Sequence, residues 1–198
     1  MKRIIFVKLQ NIKMENTKYI FKSERLGFRQ WLDSDLAPMN EINSDPLVME
    51  YFPFIPSASE TLTFIQKMKV QFNEKGFCYF AVVKLENNEF IGFIGLSQAT
   101  FESDFTPCID IGWRLKSSEW NKGFATEGAK ACLKFGFEKL KIKSIYSIAP
   151  IVNAKSILVM AKIGMVKVKN FMHPLLKDYP KLVECVLYEV KKFPLSEK

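Results

Sequence analysis

Residues 108–127 read CIDIGWRLKSSEWNKGFATE and constrain the chain more than any other stretch. Ile109, Ile111, Trp113 and Leu115 alternate with Asp110, Gly112 and Arg114, the period of a half-buried strand. Lys116, Ser117, Ser118 and Glu119 break the alternation with a polar turn. Trp120, Asn121, Lys122, Gly123, Phe124, Ala125 and Thr126 then lead into an apolar pattern of helical period. A strand, a glycine turn and a helix in that order leave backbone N–H groups unpaired at the helix start, where the positive end of its dipole also lies. A phosphate suits such a place. Gly123 lets the backbone come close because it has no Cβ, Ala125 is small on the same approach, and Lys122 adds positive charge. A glycine in a strand–helix turn can also be purely structural, so the residue order around Gly123 has to carry the assignment.

That order, WNKGFATEG after IGWRL, resembles the coenzyme A pyrophosphate loop of the GNAT acetyltransferases, in their RimJ/RimL-like branch. The superfamily pattern is Gln/Arg-x-x-Gly-x-Gly/Ala, with Trp120 here at the first position, and Asp110 stands where the branch commonly has Glu. A second block, from Asn153 through Ser156 to Lys162, Gly164 and Met165, resembles the family's N-x-x-S…K-x-G-F. Met165 replaces the aromatic residue, and Met160 occupies the position of the usual tyrosine. SERLGFR at 23–29 resembles the family's T-E-R-L-x-L-R opening, and Leu187-Tyr188 resembles its ending.

The resemblance spans residues 19–191 and implies a mixed α/β (α+β) fold. Its mostly antiparallel sheet has about seven strands with helices on both faces, and splays between the fourth and fifth strands. The implied co-substrate is acetyl-CoA and the implied acceptor a primary amine, either a protein N-terminus or a small molecule. The implied mechanism is direct attack in a ternary complex, with the edge of the strand at Trp113, Arg114 and Leu115 pairing with the pantetheine amides.

At 198 residues the chain has room for one domain with a substantial core, expected over residues 19–192. Residues 1–18 carry Lys2, Arg3, Lys8, Lys13 and Lys18 against Glu15 and read as a basic, flexible extension. Met14 offers an alternative start. The net charge of +8 allows an acidic ligand or a nucleic acid. No RNA-binding aromatic motif or G-x-x-G loop supports the second. Cys78, Cys108, Cys132 and Cys185 lie far apart in apolar patterns, which suggests reduced buried thiols in a cytoplasmic protein rather than disulfides or a metal site. His173 is the single histidine, and no apolar run reaches the length of a membrane span.

Along the rest of the chain, residues 19–30 read as the first strand. Ser57 and Glu60 form a capping box for a helix that Gly76 stops. Residues 77–84 and 90–97 form a hairpin in which Gly92 and Gly95 suggest a bulge or close packing. A helix over 124–140, a strand over 143–149, a helix opened by Asn153 and two late strands complete the order.

Amine acetylation needs a base, since amines are mostly protonated at neutral pH. Asp110 is the candidate; as an alternating polar residue it can equally face solvent or pair with a lysine. Ser156 is the family-consistent acid for the leaving thiolate, or else a small residue that makes room for the cofactor. Asn153 is a pantetheine hydrogen-bonder or a helix N-cap. Glu127 in the first helical turn reads as structural, and Glu50 and Asp33 are weaker base candidates. No cysteine reads as a nucleophile. Two other readings stay open, a non-catalytic coenzyme A-binding protein and a ribosome- or RNA-associated module, with the protein a monomer or a homodimer.

Overall fold

Apolar alternation in the strand segments builds one eight-stranded sheet in a computed structural model that describes residues 18–192. Residues 1–17 of the expected basic extension lie outside the described residues. The strands are β1 (Phe21–Lys22), β2 (Leu26–Arg29), β3 (Tyr79–Lys84), β4 (Phe90–Ala99), β5 (Cys108–Leu115), β6 (Ser144–Pro150), β7 (Val166–Met172) and β8 (Glu184–Lys191). Their order is β1-β2-β3-β4-β5-β6-β8-β7. All neighbours are antiparallel except β5 and β6, which run parallel. The eighth strand arises because residues 19–30 are not one strand. Ser23 turns the chain by pairing with Leu26, donating its N–H and accepting at Oγ, so β1 folds back on β2.

Five helices cover the sheet: α1 (Leu36–Ser44), α2 (Pro46–Met49), α3 (Ala58–Lys75), α4 (Phe124–Glu138) and α5 (Ala154–Lys162). Successive strand residues point to opposite faces, and consecutive Phe93 and Ile94 mark the two. On the Phe93 face, Ser97 donates to Gln71 of α3, and Arg114 donates to Asn43 of α1. On the Ile94 face, α4 packs so closely that a Cβ on Gly128 would lie 2.4 Å from Ile94 Cδ1. The apolar side chains of both layers form one core, with Leu26, Phe28, Phe80, Ile94 and Leu96 fully buried in it.

The expected capping box is present, with Ser57 and Glu60 bonded reciprocally at the start of α3, and left-handed Gly76 ends that helix. The expected glycine irregularities also appear: the β3–β4 register shifts at Val82/Val83, opposite Gly92.

One gap in the sheet positions the site. Between β5 and β6 the single ladder partner is Asp110↔Tyr146, beside which Ser147 Oγ donates to the Ile111 carbonyl. These are the fourth and fifth strands when β1 and β2 are counted as one. Beyond this point the strands separate, and β5 continues to Leu115 paired with β4 alone.

Candidate active site

The opening between β5 and β6 leads into a cleft of about 370 Å³ that connects the two sheet faces. Leu47, Val48, Tyr51, Phe52 and Arg114 line it on the Phe93 side. Trp113, Leu115 and Trp120, the α4 mouth and the first turns of α5 complete its wall. Backbone alternation sets the polarity of the β5 edge. The carbonyls of Ile111 and Leu115 face away from β4, since they accept from Ser147 Oγ and Trp120 Nε1. By the same alternation the N–H and C=O of Trp113, midway between them, point into the gap.

The α4 mouth is an open helix N-terminus. Its N-cap is Gly123 at φ +84°, a left-handed conformation that suits glycine, and no side chain caps the helix. The first intrahelical bond from this end runs from the Glu127 N–H to the Gly123 carbonyl. The N–H groups of Phe124, Ala125 and Thr126 precede it and have no intrahelical partner. Asn121, at φ +60°, Gly123, Phe124, Ala125 and Thr126 all line the cleft.

Lys122 does not line it. Its ammonium lies 3.1 Å from buried Glu119, which Lys84 approaches from the other side at 3.7 Å, so the charge expected to face a phosphate is spent on a carboxylate. Lys155 and Lys162 of α5 bring cations to the cleft instead, Lys155 over the Trp120 ring at 4.6 Å.

The loop is held from behind. Glu127 accepts from Ser23 Oγ at 2.7 Å, from the Arg25 N–H at 2.8 Å and from Arg25 Nε at 2.7 Å. Burial pushes the Glu127 carboxyl up, but these donors outweigh it and hold the group below its ordinary value. Arg25 also donates to the Lys122 carbonyl and stacks on Phe124, 4.4 Å from ring centroid to guanidinium. The SERL opening and the ATEG segment, about a hundred positions apart in sequence, thus form one brace. Neither block read alone shows this.

Asn153 caps α5, its Oδ1 accepting from the Ser156 N–H at 3.1 Å, and both residues line the cleft. Met160, one turn further along the same stripe, is 1% exposed in the core and has no proton to give. Ser156 is thus the hydroxyl at this part of the cleft wall.

Asp110 lies at the closed end of the gap rather than in the cleft wall. Its carboxylate accepts from the Tyr79 hydroxyl. Tyr79 sits on β3, two strands away, and reaches Asp110 because β4 and β5 present Gly95 and Gly112 beneath it. A Cβ on Gly95 would lie 2.6 Å from Tyr79 Cα, and one on Gly112 would lie 3.1 Å from its ring. Burial raises Asp110 to about 6, with the Tyr79 bond opposing the rise. Tyr79 itself is pushed well above its ordinary value by burial and by the Asp110 charge. Sequence reading missed Tyr79; the signal lies in the register that aligns Tyr79, Gly95 and Gly112.

Several minor candidates lie elsewhere. Asp33 pairs with Lys69 at 2.6 Å on the surface. His173 caps a 3₁₀ turn over Pro174–Leu176 and packs, tilted, against Phe101 with ring centroids 4.3 Å apart, outside the cleft. All four cysteines are free and buried, and burial raises each thiol. Among the described residues, no cluster of His, Cys, Asp and Glu that could hold a metal ion occurs, and no helix is long and apolar enough to cross a membrane.

Comparison with known proteins bears on this geometry. The profile of the acetyltransferase (GNAT) domain matches residues 25–166. The uncharacterized N-acetyltransferase YnaD of Bacillus subtilis (strain 168) is 31% identical over 144 residues, 72% of this chain and 80% of that protein. A GNAT-family acetyltransferase from Bacillus anthracis, known from its crystal structure, superposes with a TM-score of 0.72 at 29% identity, covering 86% of this chain and 96% of that one. The α-N-protein acetyltransferase RimL, solved in complex with coenzyme A, shares the fold, with a TM-score of 0.68 at 16% identity over 85% and 95% of the two chains.

Proposed function

Because the chain belongs to the GNAT acetyltransferases, we propose that its cleft binds acetyl-CoA and transfers the acetyl group to a primary amine by direct attack. The observation that carries this reading is the uncapped α4 N-terminus behind left-handed Gly123, opening onto the gap between β5 and β6. Its unpaired N–H groups and the dipole of α4 suit a pyrophosphate, and Ala125 leaves space beside them. Lys155 and Lys162 supply the positive charge that Lys122 does not. The Trp113 N–H and C=O suit the amides of the pantetheine arm, and the same edge offers a donor to the thioester oxygen.

Asp110 is the base, acting through the Tyr79 hydroxyl, which lies over Gly112 and so nearer the cleft than the carboxylate does. The amine gives its proton to the Tyr79 oxygen as the Tyr79 proton passes to Asp110. At neutral pH a carboxyl of about 6 is ionised and basic enough for the task. Ser156 Oγ–H donates to the departing thiolate. With every cysteine thiol raised and buried, no covalent acetyl-enzyme is invoked. The two linked sequence blocks and the SERL brace favour the RimJ/RimL-like branch within the family.

Thermal unfolding with acetyl-CoA tests the reading, with ATP and NAD as controls. At 100 times its dissociation constant a ligand stabilises by about 2.7 kcal/mol, a rise of roughly 5–10 °C for a chain of this size. Gly123→Glu should lose that rise, since it adds left-handed strain of roughly 1–2 kcal/mol and a negative charge at the mouth. Equal shifts with all three nucleotides, or an undiminished acetyl-CoA shift in a folded Gly123→Glu protein, would overturn it.

A further inference from the structure

The Arg114 guanidinium stands in the cleft wall, and among the described residues no carboxylate comes within ion-pair distance of it. Nη1 donates to Asn43 Oδ1 at 2.7 Å. Nε is buried without a hydrogen-bond partner, and Nη2 makes no hydrogen bond to the described residues. Nε and Nη2 form one edge of the planar fork, the edge that matches the two oxygens of a carboxylate. Resting on the acetyltransferase reading above, we propose that this edge receives a carboxylate of the acceptor, which is therefore an amino-acid-like molecule carrying its amine and its carboxylate a few ångströms apart.

Three observations support the assignment. The fork is held in place before any acceptor arrives. Phe52 and Phe93 stack against it at 4.0 and 5.6 Å, and Asn43 is itself fixed by donating to Thr61 Oγ1 at 2.9 Å. A cation so desolvated calls for a counter-charge; burial already draws Arg114 down to about 10, still charged at neutral pH. The fork also lies on the acceptor's side of the sheet. Arg114 shares the Phe93 face with Gly112 and the Tyr79 hydroxyl above it, whereas the α4 mouth packs on the Ile94 face. Gly112 and Arg114 are two residues apart on one strand, about 6–7 Å, a spacing that lets an amine meet Tyr79 while its carboxylate meets Arg114. Finally, the neighbouring wall of Leu47, Val48 and Tyr51 is largely apolar and suits an apolar side chain.

The test compares kcat/KM for leucine, methionine and phenylalanine with that for each carboxamide, and for ethanolamine phosphate with that for ethanolamine. Wild type, Arg114→Gln and Arg114→Lys are assayed with saturating acetyl-CoA. Wild type should favour the free acids over the amides by roughly ten- to hundredfold. The ratio should fall to near one in Arg114→Gln and to an intermediate value in Arg114→Lys, which keeps the charge and loses the fork. Equal use of acids and amides by wild type overturns the proposal, as does a preference that survives in Arg114→Gln. A preference confined to ethanolamine phosphate reassigns the fork to phosphate and overturns it too. If Arg114→Gln fails to fold, the wild-type ratio and Arg114→Lys still decide. Absence of any acetyl-CoA thermal shift in wild type would instead strike the acetyltransferase reading beneath it.

Discussion

Asp110→Asn separates the cost of burying a charge from the use made of it. The Asp110 carboxyl moves from an ordinary 3.8 to about 6 on folding, chiefly through burial. That difference corresponds to about 3 kcal/mol. The sign follows from which state ionises first. Below pH 3.8 the group is protonated in both states and has no effect. Between pH 4 and 6 the unfolded chain ionises while the folded one resists, so folding stability falls, and the full penalty is present above pH 6. Asparagine is neutral throughout and keeps an oxygen to accept from Tyr79. Asp110→Asn should therefore match wild type near pH 4 and exceed it at pH 8 by up to about 3 kcal/mol, a Tm gain of roughly 6–12 °C. Residual contact of Asp110 with solvent reduces this figure, which is an upper bound. The same substitution should slow acetylation by about 10²- to 10⁴-fold, as loss of a general base does. Thermal melts at both pH values, with steady-state rates at pH 8, make the test. A Tm difference independent of pH would refute the buried charge, and unchanged turnover would refute the base.

Three further predictions concern the neighbours. Tyr79→Phe removes both the proposed relay and a hydrogen bond that favours the carboxylate, so kcat should fall by about 10²-fold or more and, in the activity that remains, the acidic limb of the pH–kcat/KM profile should move up by roughly one pH unit; undiminished turnover would remove the relay, and an unmoved limb would uncouple the pair. Ser156→Ala should lower kcat by about tenfold without changing acetyl-CoA affinity, because the α5 cap uses the Ser156 backbone N–H and not its hydroxyl; equal turnover would remove the acid role. Glu127→Gln weakens the brace to Ser23 and Arg25, and with Arg25 half exposed the loss should be only about 1 kcal/mol, a few degrees of Tm. The greater effect should be on acetyl-CoA affinity, several-fold lower by titration calorimetry, since Arg25 also holds the Lys122 carbonyl.

Local chemistry determined much of this protein within the sequence itself. The alternation over 108–115, the polar turn and the helical period after Gly123 depend only on neighbouring residues. So do the Ser57–Glu60 box and the Gly76 stop. That is why the strand–turn–helix at the centre of the fold, and the family resemblance it carries, can be read without coordinates. Residues 19–30 read as one strand, but the polar run Lys22-Ser23-Glu24-Arg25 within them holds a turn that Ser23 makes with Leu26.

What tertiary structure alone decided concerns partners distant in sequence. Lys122 reads as a phosphate ligand, yet the fold buries Glu119 between it and Lys84, far off in sequence, and so commits its ammonium to that carboxylate. Asp110 reads as a candidate base that can equally face solvent or pair with a lysine, yet register lines up Gly95 and Gly112 and gives it Tyr79. Arg114 was one of three edge residues, and only the packing of α1 and Phe52 shows its guanidinium held with one edge unpaired. A side chain's period is set by the backbone it sits on. Its charge, its proton affinity and its free hydrogen-bonding edge are set by whatever the fold brings against it.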